Sequence, residues 1–237
     1  MSQCLVLVHT VPPLLEVFGR LTAELLPGVQ VLHILDEPLL ERVKRRGRLA
    51  AEDGARLAEH VAAAAAVGAG AVLITCSTVS PVVDMVRPTA SIPVLKIDEA
   101  MIAEAVRLGR RMGVVATAAS TLEPTRRLLE AAAARQGKAI STELVLVDGA
   151  IAALFAGDGE SHDRLVSSAA LDLAARSDVV VLAQASMARA LAVMPGDQRP
   201  VPILSSPHLA LAQVKNLLGD PPSSASRPAK PAPASGC

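Results

Sequence analysis

The segment AVLITCST at residues 71–78 is matched by the segment VVVLAQAS at residues 179–186, and this pair is the main evidence for the fold. Each copy is a short apolar run that ends in small polar residues, the pattern of a buried parallel strand and the turn after it. The copies begin 108 residues apart. This spacing predicts that the chain consists of two similar halves.

Three more pairs of segments repeat in the same order at nearly the same spacing. LVLVHT at 5–10 overlays MGVVAT at 112–117, and VLHILDE at 31–37 overlays ELVLVDG at 143–149. IPVLKIDEA at 92–100 overlays VPILSSPHL at 201–209. The four pairs predict eight strands: Leu5–Val8, Val31–Leu35, Ala71–Thr75, Pro93–Leu95, Gly113–Ala116, Leu144–Val147, Val179–Ala183 and Pro202–Leu204.

Helical patterns separate the strands. The predicted helices are Pro13–Leu25, Leu39–Val67, Pro81–Arg87, Ala100–Gly109, Glu123–Gln136, Asp163–Arg176, Met187–Ala192 and Leu209–Leu218. Alternation of strands and helices predicts an α/β fold with parallel sheets. We therefore expect two pseudo-symmetric, Rossmann-like halves, each a four-stranded parallel sheet with flanking helices, and an active site between them.

The domain division follows from the same repeats. Residues 1–100 and 205–220 are predicted to form the first half, with a C-terminal return, and residues 101–204 the second half. The segment 221–237 is rich in Pro, Ser and Ala. Such a composition cannot bury enough apolar surface to fold, so it predicts a disordered tail.

The amino-acid composition argues against nucleic-acid binding and against a membrane protein. Hydrophobic residues make up 51% of the 237, but Trp and Tyr are absent and the only phenylalanines are Phe18 and Phe155. Lys plus Arg and Asp plus Glu both number 23, so no basic field is available to attract nucleic acid. The N-terminus does not resemble a signal peptide, and no apolar run is long enough to predict a membrane span.

The three cysteines, Cys4, Cys76 and Cys237, have neither the spacing of a disulfide framework nor that of a zinc site. Free cysteines are typical of a reducing compartment, which predicts a cytoplasmic protein. No metal-ligand spacing, phosphate-binding loop or dinucleotide fingerprint is present, so neither a metal nor a cofactor is predicted. The oligomeric state is open, and a homo-oligomer is compatible with the sequence.

Open parallel sheets bind ligands beyond the carboxyl ends of their strands. The residues at these ends are small and polar, and the overlay makes Cys76 and Gln184 counterparts. We expect Cys76 and Gln184 to be the catalytic pair. The predicted substrate-binding residues are His9, Thr10, Asp36, Ser77, Thr78, Lys96, Thr117, Ala185 and Ser186.

Three of these residues have structural interpretations that are also open. Asp36 and its counterpart Asp148 can cap the helices that follow. Lys96 can pair with Asp98 or Glu99 instead of a substrate. His9 can be a hydrogen-bonded residue of the cleft wall rather than an acid.

The strand-Cys-Ser-Thr segment, IPVLKIDEAM, MGVVAT and VVVLAQASM together resemble the aspartate/glutamate/hydantoin racemase superfamily. The resemblance covers essentially residues 3–218. The phrases LKIDEAM, DGAIAALFAGDGESHDRLV and LAQASMARA are closer to a single-cysteine branch than to the glutamate racemases. The resemblance to the superfamily implies two duplicated α/β halves that act without a cofactor on a small carboxylate. In the family, one thiol removes the α-proton and a second thiol returns it on the opposite face.

Cys76 matches the first thiol of the family pattern, but the position of the second thiol falls on Gln184. A carboxamide has no usable proton near neutral pH, so a two-base racemisation lacks its partner. The resemblance therefore implies carbanion chemistry with one thiol, by isomerisation, decarboxylation or elimination. Arylmalonate decarboxylases also keep one thiol, in their second half.

Two alternatives remain from the residues. In one, Cys76 is a nucleophile that forms a covalent adduct, with Gln184 and Ser186 aligning the substrate. In the other, the protein has kept the cleft and binds a small carboxylate without turnover. In the enzymatic case, hydroxyls at the strand ends are suited to stabilise an enediolate: those of Thr10, Ser77, Thr78, Thr117 and Ser186.

Overall fold

Two parallel four-stranded sheets form the centre of the computed structural model, which describes residues 4–219. The first sheet has the order β2-β1-β3-β4 and the second the order β6-β5-β7-β8. The strands are β1 (Cys4–His9), β2 (Gln30–Leu35), β3 (Ala71–Ile74), β4 (Val94–Lys96), β5 (Arg111–Ala116), β6 (Ser141–Leu146), β7 (Val179–Leu182) and β8 (Ile203–Ser205). The predicted fold of two parallel α/β halves is confirmed, and all eight predicted strands are present.

The central strands are apolar because both of their faces are covered. Every residue of β1, β3 and β7 is buried, as expected for strands between two layers of helices. The edge strand β2 alternates more, since part of it faces solvent. This pattern places the ends of β1 and β3, and of β5 and β7, in the middle of their sheets.

The sheet register corrects one of the four sequence overlays. Leu5 pairs with Val31 in the first sheet, and its equivalent Met112 pairs with Thr142 in the second. The overlay of β2 on β6 had matched Val31 with Glu143 and was wrong by one residue. Asp36 therefore has Val147, not Asp148, as its counterpart, and both backbone N–H groups bond to the last residue of the central strand.

Nine helices lie in the described part of the chain: α1 (Pro13–Leu25), α2 (Glu37–Arg46), α3 (Ala51–Ala66), α4 (Val83–Val86), α5 (Glu99–Leu108), α6 (Ala119–Arg135), α7 (Ala150–Phe155), α8 (Gly159–Ala174) and α9 (Ser206–Leu218). Short 3₁₀ segments cover Ser80–Val82, Arg87–Thr89, Ala185–Val193 and Gly196–Gln198. None of the helices described is long and apolar enough to cross a membrane.

The single helix predicted over Leu39–Val67 is two helices. Gly47 adopts a left-handed conformation with φ of 71°, and its N–H bonds to Val43 O at 2.9 Å, which ends α2. Asp53 then accepts a hydrogen bond from Ala50 N at 2.9 Å at the start of α3. A glycine in a helical pattern was thus a stop signal that the sequence analysis missed.

Two other helix predictions also need correction, and one helix was missed. The predicted helix Pro81–Arg87 is divided into two 3₁₀ turns around the four-residue α4. The predicted helix Met187–Ala192 lies within a 3₁₀ segment. The helix α7 was not predicted; it begins after Gly149 and ends before Gly157, both with positive φ.

The last helix of each half packs on the sheet of the other. In α9, Leu211 and Val214 pack with Leu5, Leu7 and Phe18 of the first half. Helix α5, which follows the first sheet, packs its buried residues into the core of the second sheet. The two halves are therefore joined by an exchange of helices. The predicted disordered tail, 221–237, lies outside the described residues.

Candidate active site

A cavity of about 190 Å³ lies between the two halves, at the carboxyl ends of the strands. Both Cys76 and Gln184 line it, from equivalent positions after β3 and β7. The sequence-predicted residues that line it with them are Thr10, Ser77, Thr78, Ala185 and Ser186. The structure thus brings seven predicted site residues together, while their roles stay a prediction.

The backbone after β3 presents Cys76 at the cavity. Thr75 N still donates to Val8 O at 3.0 Å, so the sheet continues to this point. Ser80 N then donates to Cys76 O at 2.9 Å, which turns the chain into the 3₁₀ segment. Cys76 is consequently a free, partly exposed cysteine beside the apolar core of the first half.

Three donors hold the side-chain oxygen of Gln184. Gln184 Oε1 accepts hydrogen bonds from Thr117 N at 2.7 Å, Thr117 Oγ1 at 3.0 Å and Ala118 N at 3.2 Å. Three donors around one atom identify it as the carbonyl oxygen rather than the nitrogen of the amide. Thr117 therefore acts on Gln184 and does not itself line the cavity. The NH₂ group is the part of Gln184 left to donate to a ligand.

Thr10 occupies the place in the first half that Thr117 occupies in the second. Its side chain is only 1% exposed and lines the cavity. Unlike Thr117, its hydroxyl oxygen has no hydrogen-bond partner among the residues described. A buried unpaired hydroxyl is unusual in a folded protein and needs an explanation.

Among the other lining residues that follow β3 and β7, Ser77 connects the two halves. Ser77 Oγ donates to Ala183 O at 3.3 Å, a hydrogen bond from the first half to the second. Ala185 is buried and begins the 3₁₀ segment after β7. Within residues 4–219, no group of three His, Cys, Asp or Glu side chains could hold a metal ion.

His9 lies beneath the cavity rather than in its wall. His9 Nδ1 is 2.8 Å from Thr75 Oγ1, and His9 Nε2 is 2.9 Å from His33 Nδ1. Because Thr75 Oγ1 donates its proton to Val8 O, His9 Nδ1 is the donor to Thr75. Burial, together with the neighbouring His33, lowers the pKa of His9 to about 4. A neutral His9 thus supports Thr75, and the expectation that it binds substrate directly is corrected.

Asp36 does not reach the cavity either. It accepts hydrogen bonds from Leu39 N at 3.1 Å, from Arg56 Nε at 2.8 Å and from His60 Nε2 at 2.6 Å. Burial alone raises the pKa of Asp36, but the bonds from His60 and Arg56 hold it below its ordinary value. Asp36 therefore caps α2 and ties it to α3, which was the structural alternative.

Lys96 is likewise engaged elsewhere. Its Nζ donates to Asp84 Oδ2 at 2.7 Å, and the side chain is only 5% exposed. Lys96 does not line the cavity, and its side chain does not make the expected pair with Asp98 or Glu99. Asp98 instead accepts a hydrogen bond from Ser80 Oγ at 2.9 Å, and burial raises the pKa of Asp98 to about 6.

The sequence analysis missed the apolar wall of the cavity. Leu40 of α2 and Ile151 of α7 are equivalent once the register is corrected, and both line the cavity. Further lining residues are Val11, Pro13, Leu14, Lys44, Thr75, Ala118, Ser120, Thr121, Leu154 and Phe155. The corrected overlay of β2 on β6 is the signal that could have found α2 and α7.

Comparison with known families agrees with this architecture. The family model for Asp/Glu/Hydantoin racemase matches residues 14–214. The chain belongs to the Asp/Glu/hydantoin racemase family. No curated protein sequence matches this family member significantly.

Solved structures with the same fold include racemases and a decarboxylase. An allantoin racemase from Klebsiella pneumoniae has a TM-score of 0.70 at 22% identity, covering 92% of this chain and 88% of its own. A glutamate racemase from Bacillus anthracis has a TM-score of 0.67 at 18% identity, covering 92% and 81%. An arylmalonate decarboxylase has a TM-score of 0.60 at 15% identity, covering 95% and 96%. At these sequence identities, the structural similarity establishes the fold of this protein but not its substrate.

Proposed function

We propose that this protein is a cofactor-independent enzyme that makes or quenches a carbanion on the carbon next to a small carboxylate. Cys76 is its single thiol acid and base. The observation that carries the proposal is that Cys76 and Gln184 line one cavity from equivalent strand ends. The similarity in fold to racemases and to a decarboxylase supports the same class of chemistry.

The proton transfer needs no group beyond the cavity. The Cys76 thiolate takes the α-proton, the S–H bond forms as the C–H bond breaks, and the electron pair moves into the carboxylate as an enediolate. Hydrogen-bond donors fixed around the developing negative charge are usually the largest contribution to catalysis. The Thr10 and Thr78 hydroxyls and the NH₂ group of Gln184 are among the donors that line the cavity.

A decarboxylation uses the same groups in another order. The C–C bond to the leaving carboxylate breaks, CO₂ departs, and its electron pair forms the same enediolate. The Cys76 S–H then donates its proton to the carbon and becomes a thiolate. In both reactions Gln184 offers no acid proton, so the carbon exchanges protons on the side of Cys76 alone.

The test is incubation in deuterated water with amino, hydroxy and malonic acids. Deuterium on the α-carbon and the configuration of the product are followed by NMR and chiral chromatography. We expect deuterium incorporation or decarboxylation with a single configuration. Cys76→Ser is expected to lower the rate at least ~100-fold, the usual minimum for a lost acid or base.

Cys4→Ala is the matched control, because Cys4 is the other described free thiol and is buried away from the cavity. It should keep the wild-type rate. Equal activity of Cys76→Ser and wild type contradicts the proposal. A substrate-sized adduct on Cys76 in intact mass spectra identifies the nucleophile mechanism instead, and binding without any exchange identifies a binding protein.

A further inference from the structure

The similarity of the two halves provides an internal reference for the side of the cavity formed by the first half. Thr10 and Thr117 each follow the central strand of their sheet, and both are buried. In the second half, the hydroxyl and N–H of Thr117 bond to Gln184 Oε1. In the first half, the Thr10 hydroxyl has no partner among the described residues. The difference indicates that the hydrogen-bond acceptor for the Thr10 hydroxyl is supplied by a ligand and not by the chain.

The residue opposite Thr10 explains why this acceptor is missing. The counterpart of Gln184 is Cys76, whose side chain is shorter and carries no oxygen. A carboxylate oxygen placed beside Thr10 would accept from its hydroxyl, as Gln184 Oε1 accepts from Thr117. Backbone N–H groups of Thr10 and Val11 are the equivalents of the two that bond to Gln184. Hydrogen bonds of this kind to a charged oxygen are stronger than those to a neutral one.

The wall formed by α7 is apolar and open. Ile151, Leu154 and Phe155 line the cavity, and Phe155 is 70% exposed. A large apolar side chain exposed at the edge of a cavity is typical of a surface that a ligand covers. An apolar cavity of about 150 Å³ binds benzene, so about 190 Å³ has room for a benzene-sized group and a little more.

The charges around the cavity are those of a site for an anion. Lys44 is the single charged side chain among the described lining residues. Glu41, which pairs with Lys44 at 2.9 Å, does not line the cavity. The carbonyl oxygen of Gln184 is already bonded to three donors. None of the described lining residues is a carboxylate, so an ammonium group would lose water without gaining a carboxylate partner, which is unfavourable.

We infer that the ligand is a carboxylate with an apolar substituent and without an ammonium group next to it. One of its carboxylate oxygens lies at Thr10, where it corresponds to Gln184 Oε1 at Thr117, and its substituent packs on α7. The inference rests on the proposed function in taking the same cavity as the substrate site. It does not depend on any reaction of Cys76.

Four acids test two requirements separately: an apolar substituent, and no ammonium group next to the carboxylate. The pair 3-phenylpropanoate and phenylalanine differs by the ammonium group, and so does the pair glutarate and glutamate. Exchange of the phenyl for a carboxymethyl group, from the first pair to the second, tests the apolar wall. Binding to the full chain is measured by calorimetry with both enantiomers of each amino acid. We expect 3-phenylpropanoate to bind at least tenfold more tightly than the other three acids.

Variants connect this preference to the named residues. Thr10→Val should weaken 3-phenylpropanoate about tenfold, and Thr10→Ser, which keeps the hydroxyl, should restore binding. Phe155→Ala should weaken it about fivefold to tenfold, since it removes one apolar contact surface. Val193→Ala is the matched control, because Val193 is also an exposed apolar residue of the second half but does not line the cavity.

The inference falls if phenylalanine or glutamate binds as tightly as its counterpart without the ammonium group. It also falls if folded Thr10→Val binds 3-phenylpropanoate like wild type, or if no acid binds. These results are distinct from failure of the proposed function. Thr10-dependent binding without proton exchange keeps the inference and removes the function. Cys76-dependent exchange on glutamate, unaffected by Thr10→Val, does the opposite.

Discussion

The two halves have the same strand order but differ at the side chain that follows the third strand of each. In the second half, Gln184 fills the group of donors at Thr117. In the first half, Cys76 leaves the equivalent donor at Thr10 without a partner. One half therefore carries its own acceptor and the other requires one from a ligand. In a duplicated fold, such a difference identifies the ligand side without a bound ligand.

The buried residues at the ends of the two central strands are also more polar in the first half than in the second. His9 and Thr75 form a buried hydrogen-bonded pair below the strand ends of the first half. Their equivalents in the second half are Ala116 and Ala183, which are buried and apolar. A polar pair of this kind holds side chains in one arrangement. The first half therefore supports the residues around Cys76 with a polar layer that the second half lacks.

The largest expected difference in stability is between substitutions of the two phenylalanines, one of which lies in each half. Phe18 is fully buried, and its ring centroid lies 5.6 Å from that of His9. Phe18→Ala should lower the free energy of unfolding by about 3 to 5 kcal/mol, since it leaves a cavity in the core. Phe155→Ala should change it by less than about 0.5 kcal/mol. Urea denaturation measures both, and similar losses would contradict a ligand-facing Phe155.

A smaller effect is expected at Gln184. Gln184→Leu leaves three donors without their acceptor and should cost about 1 to 3 kcal/mol of stability. Gln184→Glu keeps an oxygen at the same place and should cost less. Cys76→Ala, at the equivalent position of the first half, should stay within about 1 kcal/mol of wild type. If Gln184→Leu is as stable as wild type in chemical denaturation, the three bonds are not maintained in solution.

The smallest effect compares the two equivalent threonines. Thr117→Val removes the hydroxyl that donates to Gln184 Oε1 and should cost about 1 kcal/mol. Thr10→Val removes a hydroxyl without a partner and should be neutral or slightly stabilising in the absence of ligand. Thermal unfolding of the two variants side by side measures this difference. A greater loss for Thr10→Val would show that its hydroxyl is already bonded in the free protein.

The sequence predicted the fold because the evidence for it is local and repeated. The apolar runs that end in Cys76 and Gln184 are buried on both faces, so they have the unmixed composition of central parallel strands. The pairing of Cys76 with Gln184 followed from the repeat alone. The two residues do line one cavity, which no single copy of the segment could have indicated.

The roles of other polar residues could not be predicted because they depend on distant partners. Asp36 bonds to Arg56 and His60, and Lys96 bonds to Asp84 on another element. A sequence gives the type of residue at a strand end but not which cation or anion reaches it. The helix α7 was missed because its six residues are too few for a helical period to be recognised.

The exchange of α5 and α9 has a consequence for the order in which the chain can fold during synthesis. The buried residues in the core of the second sheet all come from between Met101 and Ile203. One face of the first sheet is instead completed by Leu211, Val214 and Leu218 of α9. The half that leaves the ribosome first is therefore the last to complete its core.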